Sequence, residues 1–164
     1  MITTLVALVA VCLLSLAFIL IIPHFAATKV FMRFLPQDIR EAAKAHPDPP
    51  VGRQVIGYLL TALAVAGYAG VLFFLGADGI RRGYGFWLLF GRYMLFMYGY
   101  KIFDILVQDQ YIVVKRKYFL RFFPETKDCR SWDDLSFNKS NQMKRLIAFP
   151  FVCALMAWLI TLVR

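Results

Sequence analysis

Three ionisable residues, Arg92, Lys101 and Asp104, interrupt a long apolar stretch from Tyr84 to Gln108. A charge at the centre of a membrane helix costs at least about 2.5 kcal/mol, so such residues face protein, water or headgroups and come first as candidates for binding or transfer chemistry. On a helix turning about 100° per residue, Lys101 and Asp104 are i, i+3 neighbours. Tyr100 and Gln108, each four residues from Asp104, extend them into one polar strip. Arg92 falls about 180° from Lys101, so one groove cannot receive both cations. Counted from Tyr84, Asp104 lies roughly 30 Å along the helix, at the far boundary of the hydrocarbon. There Lys101 could snorkel and Asp104 could meet water, the plain reading of the strip; the sharper reading is a ligand-binding or catalytic strip. Arg92 sits roughly 12 Å deep and needs a partner, expected to be a backbone carbonyl, a tyrosine or a lipid phosphate.

Other chemistry is sparse. Asp104, Asp109, Asp133 and Asp134 are the carboxylates that acid-base or metal chemistry near headgroups would use, but no paired motif joins them. His24 and His46 have no ligand-spaced neighbour, and Cys12, Cys129 and Cys153 form no C-x-x-C. No catalytic residue, metal or cofactor is therefore assigned. A second candidate surface is Lys115-Arg116-Lys117-Tyr118-Phe119-Leu120-Arg121-Phe122-Phe123, in which Lys115, Arg116, Lys117 and Arg121 alternate with aromatics. Beside a membrane span, each such cation gains about 1 kcal/mol from an anionic leaflet, which fits anionic lipid headgroups better than nucleic acid.

The elements that position these residues are membrane helices. Of 164 residues 60% are hydrophobic, against about 45 to 50% in soluble domains. The fold class expected is an all-α membrane protein, one integral domain over residues 1–164. Its four transmembrane helices cover 2–22, 55–75, 84–108 and 146–163, and short interfacial helices lie in two cytoplasmic loops, 23–54 and 109–145. The first apolar run has no positive residue before it and is long, so a retained anchor is expected rather than a cleaved signal. Pro36 is expected to open a short helix that His46-Pro47-Asp48-Pro49-Pro50 ends. Ala62, Ala66 and Gly70 in the second span, Gly91 and Gly99 in the third, and Cys153, Ala157 and Thr161 in the fourth form smooth stripes where helices should pack closely. Gly76 to Gly83 is expected as the connection between spans two and three. The third span should tilt or bend near Asp109, and Pro150 should lie near the start of the fourth. Asn138-Lys139-Ser140 matches a glycosylation sequon that only a translocated loop could use.

The loops expected on one side carry 14 Lys and Arg, and the opposite side carries 3. The positive-inside rule then puts both termini outside and both long loops in the cytoplasm, and points to the plasma (inner) membrane. Three function classes follow. The first is a non-enzymatic bundle whose basic, aromatic loops bind anionic lipid or a partner, with room for self-association or a membrane partner protein and none for nucleic acid. The second is a small transporter or channel using Arg92 and the Lys101/Asp104 strip. The third is a membrane-embedded lipid-modifying enzyme.

Overall fold

The computed structural model describes residues 1–33, 35–133 and 139–163, and every regular element among them is helical. Asp134 and the sequon residue Asn138 lie outside the described residues. Four long helices dominate: α1 (Ile2–Ile21), α4 (Val51–Arg81), α5 (Phe86–Phe103) and α6 (Lys139–Val163). Two short ones, α2 (Thr28–Met32) and α3 (Gln37–Ala42), fall between α1 and α4. α1 with its extension to His24, α4 and α6 are long and apolar enough to cross a membrane. α5, which carries Arg92 and Lys101, packs among them. The side-chain distribution is the reverse of a water-soluble protein: Leu63, Phe73 and Phe151 are 70%, 80% and 73% exposed, while Arg92, Lys101 and Gln108 are buried. Such an arrangement is compatible with a membrane-embedded bundle and unfavourable in water.

Successive long helices run antiparallel. Arg82, just past α4, reaches Thr3 and Arg92 reaches Thr4, so the start of α1 meets the end of α4. Tyr98 of α5 reaches Leu146 in the first half of α6, and Gly76 of α4 lies against Ile160 near the end of α6. The tight turn at 82–85 therefore sits at one end, and the two long connections share the other. Between the helices, Leu75, Tyr93, Phe96, Met97 and Cys153 form the central core with Ala7 and Val11 of α1. A second core binds the two long connections into one cap, with Met32, Ile39 and Ala43 packing on Val113, Phe119, Phe123 and Trp132. Polar links fasten the cap: Asp48 accepts from the Thr28 N–H at 2.8 Å, Asp38 from the Ser131 N–H at 3.2 Å, and His46 meets Glu125 at 2.8 Å.

Helix ends follow local chemistry. Pro36 precedes α3, whose helical path ends at Ala45 before His46-Pro47-Asp48-Pro49-Pro50, as the proline spacing predicts. Pro50 then caps α4, which starts at Val51, four residues before the expected boundary. At its other end, the segment expected as a connection from Gly76 to Gly83 is helical as far as Arg81. Gly76 and Gly79 are buried inside the helix, where their missing side chains admit neighbours: a Cβ at Gly76 would fall 2.9 Å from the Tyr93 hydroxyl, and one at Gly79 would collide with Leu89.

The small-residue stripes divide. Cys153 and Ala157 are buried, with Cys153 Sγ 3.4 Å from Met97 Sδ, so that stripe is the α5–α6 contact. Gly99 is a close approach as well, since a Cβ there would meet Leu8 at 2.6 Å. In contrast Ala62, Ala66 and Gly70 face outward from the chain, and Gly91 has open space where a Cβ would be. Pro150 is also displaced from its expected place. Because α6 starts at Lys139, Pro150 lies inside the helix. Finally, the third long helix does not break at Asp109: α5 passes directly into a π-helix, Asp104–Lys115, closed by the Arg116 N–H on the Tyr111 carbonyl at 2.8 Å. The wider winding keeps the polar run Gln108-Asp109-Gln110 within the helix and buries Gln108, Ile112 and Val113. Most π segments are single turns within α-helices, so twelve residues of it mark this stretch as unusual.

Candidate functional site

The polar side chains form three centres, each positioned by a different pair of elements. The first is Arg92 on α5, which is fully buried. Its Nε donates to the Thr4 hydroxyl at 2.7 Å, one terminal nitrogen to the Leu75 carbonyl at 3.0 Å, and the other to Asp78 Oδ2 at 2.5 Å. The guanidinium also lies 5.6 Å from the centre of the Tyr84 ring. Of the expected partners a carbonyl and a tyrosine are present, but the main one is a carboxylate, Asp78, which its glycine-rich surroundings make resemble part of a connection. Asp78 holds Arg82 as well, at 2.9 Å, so the cluster reaches water at the 82–85 turn. Gly79 lets Leu89 of α5 close on α4 beside this cluster, since a Cβ there would collide with the Leu89 side chain.

Lys101, Asp104 and Gln108 make the second centre. Lys101 is 4% exposed and its Nζ meets Asp104 Oδ2 at 2.5 Å, so it does not snorkel to a surface. Gln108 is buried and donates to the Ser15 hydroxyl of α1 at 2.7 Å. Tyr100 turns toward α4, its ring 5.6 Å from that of Tyr68. Lys101 and Asp104 thus form an internal ion pair, while the Tyr100 hydroxyl and Gln108 come together at Ser15 of α1. Ser15 carries no sequence signal of this role, since a lone hydroxyl in an apolar run says little of its partner. Asp109, beyond the strip, accepts from the Gln142 amide at 3.1 Å. Burial and then the nearby Asp104 push its carboxyl up to about 6, against the opposing pull of Lys101 and Arg145. Asp104 and Asp109 line one cavity, whereas Asp133 pairs with Lys117 at 2.7 Å.

Neither a protein-family model, nor a curated protein, nor a solved structure matches the chain. Its chemistry therefore rests on its own geometry.

The third centre is the basic, aromatic segment. Arg116 donates from Nε and a terminal nitrogen to the Tyr111 hydroxyl at 3.0 and 2.9 Å, while Lys115 lies 5.9 Å from the centre of the same ring. Arg121 lies 5.8 Å from the Tyr118 ring centre, and the Tyr118 hydroxyl donates to the Leu20 carbonyl at 2.9 Å. Lys117 takes the left-handed backbone, φ 47°, where the chain leaves the π-helix, and is drawn off to Asp133. Arg116 and Arg121 frame a groove of about 400 Å³ between α1 and the π-helix. Leu16, Leu20, Val107 and Ile112 give it apolar walls, and Arg116 and Arg121 line it with Tyr111 and Tyr118. An apolar slot ending in guanidinium groups suits an acyl chain below and a phosphate above.

Proposed function

We propose that the protein is a four-span, non-enzymatic membrane module that binds anionic lipid through its basic, aromatic face. α5 is the fourth span in this reading, its cations neutralised inside the bundle by Asp78 and Asp104 rather than exposed to lipid. Both termini and the 82–85 turn lie outside, and the cap lies in the cytoplasm with its short helices at headgroup level, as the excess of basic residues there favours. The observation that carries the function is the groove between α1 and the π-helix, with hydrocarbon-like walls and Arg116 and Arg121 together.

Its test is native mass spectrometry of protein released from nanodiscs containing equal phosphatidylglycerol and phosphatidylcholine. Preferential retention of phosphatidylglycerol, lost in an Arg116→Gln/Arg121→Gln variant and weakened by salt, is the expected result. Equal retention of the two lipids would refute the reading, and a C-terminal reporter found inside would refute the orientation.

A transport path is the second reading, favoured by an ion pair buried within the bundle at Lys101 and Asp104. It requires that folded Asp104→Asn protein lose flux that the parent displays in proteoliposomes.

A further inference from the structure

A larger cavity, about 830 Å³, opens on the other side of the π-helix, where the cap meets the start of α6. Its walls bring together three arginines distant in sequence: Arg33 just past α2, Arg40 on α3 and Arg145 on α6. Among the described residues none of these guanidinium groups has a carboxylate within ion-pair distance, although Asp38, Asp104 and Asp109 line the same cavity. Asp38 accepts from the Ile39 and Ser131 N–H groups at 2.8 and 3.2 Å, Asp104 holds Lys101, and Asp109 holds the Gln142 amide. Three guanidinium groups lining one cavity favour an oxyanion among them, and one of the carboxylates there, Asp104, is already neutralised by Lys101. Planar guanidinium forks are the side chains best matched to phosphoryl oxygens, and the volume is that of an ordinary small-ligand site.

We propose that this cavity binds a phosphoryl group, with Arg33, Arg40 and Arg145 as its ligands. The group is either the headgroup of a phosphate-monoester lipid or a free phosphorylated solute; the oxyanion chemistry is common to both. The site shares no residue with the groove at Arg116 and Arg121 and does not depend on the function proposed for it.

The test uses the full chain in phosphatidylcholine nanodiscs, in two arms. In the first, inorganic pyrophosphate is titrated and binding followed by calorimetry; in the second, phosphatidic acid is added to the bilayer and its retention is read by native mass spectrometry. Binding in the first arm identifies a soluble ligand; the second arm is read in the Arg116→Gln/Arg121→Gln background, where the groove no longer retains anionic lipid, and retention there identifies a lipid headgroup; either supports the site provided that Arg145→Gln weakens it at least tenfold. Because all three arginines are exposed, these variants should keep the fold, checked by circular dichroism. Asn141→Trp, on the exposed start of α6 and lining the cavity, should block binding by filling it with every charge left in place. No binding in either arm, or binding indifferent to Arg145 and Asn141, overturns the proposal.

Discussion

The Tyr98 hydroxyl donates to the Leu146 carbonyl at 2.7 Å, and Leu146 is the residue four before Pro150. Proline has no N–H to give that carbonyl, so the hydroxyl of α5 takes the place of the missing helix bond in α6. The Phe149 ring stands edge-on to Tyr98, 5.6 Å between centres, and fixes the phenol in place. Tyr98→Phe should therefore destabilise the folded protein in detergent by about 1 kcal/mol, the scale of interhelical bonds in membranes. In a Pro150→Ala background, where the helix supplies its own donor, the same change should cost much less. Equal costs in both backgrounds, measured as a double-mutant cycle of unfolding, would show that the bond and the proline are unrelated.

Arg92 and Asp78 are unequal partners. Asp78 retains Arg82 when Arg92 is removed, but Arg92 is fully buried and has no second carboxylate among the described residues. Asp78→Leu should cost about 3 to 5 kcal/mol, the penalty for leaving a buried charge without its counter-ion. Arg92→Leu, which leaves an accessible carboxylate still paired, should cost roughly 1 to 3 kcal/mol. Denaturant unfolding of the two single variants gives the order, and the reverse order would place the main support of Arg92 on Thr4 and the Leu75 carbonyl instead.

How far the sequence reveals this arrangement depends on the range of the interaction. The three strongly apolar helices and the proline-bounded α3 are local patterns and are legible, as is the i, i+3 spacing of Lys101 and Asp104. The reach of α4 to Arg81 was obscured because Gly76, Asp78 and Gly79 resemble a turn by composition. Only the fold shows that Gly76 admits the Tyr93 hydroxyl and Gly79 admits Leu89, and that Asp78 answers Arg92 across the hairpin. The outward face of Ala62 and Ala66 was hidden for the same reason: a small-residue stripe states that close packing is allowed, not which helix uses it. Arg33, Arg40 and Arg145 carry no spacing signal at all, since three separate elements deliver them to one cavity.

Glycines of α4 provide a graded test of helix approach. A Cβ at Gly57 would lie 2.8 Å from the Phe25 carbonyl oxygen, a backbone atom that cannot swing aside, while Gly67 and Gly70 face open space. Gly57→Ala should thus lower stability by about 1 to 3 kcal/mol through overpacking. Gly67→Ala and Gly70→Ala should be neutral or gain up to about 1 kcal/mol from helix propensity. Thermal unfolding of the three variants in one detergent is the measurement. A loss at Gly70 as large as that at Gly57, dependent on protein concentration, would mean that the outward stripe is covered by a second molecule.

Asp109 should make the cap sensitive to pH. Its carboxyl is raised to about 6 in the folded protein, first by burial and then by Asp104, and returns to the ordinary value near 4 on unfolding. Between these values the folded state holds more protons than the unfolded one, so the contribution is fully present below about pH 4 and is lost as pH rises through about 6. Asp109→Asn, which keeps an acceptor for the Gln142 amide but cannot ionise, should flatten the fall in melting temperature between pH 4.5 and 7 and leave the variant more stable than the parent at pH 7. A steeper fall in the variant, or an unchanged one, would show that Asp109 is not the titrating group.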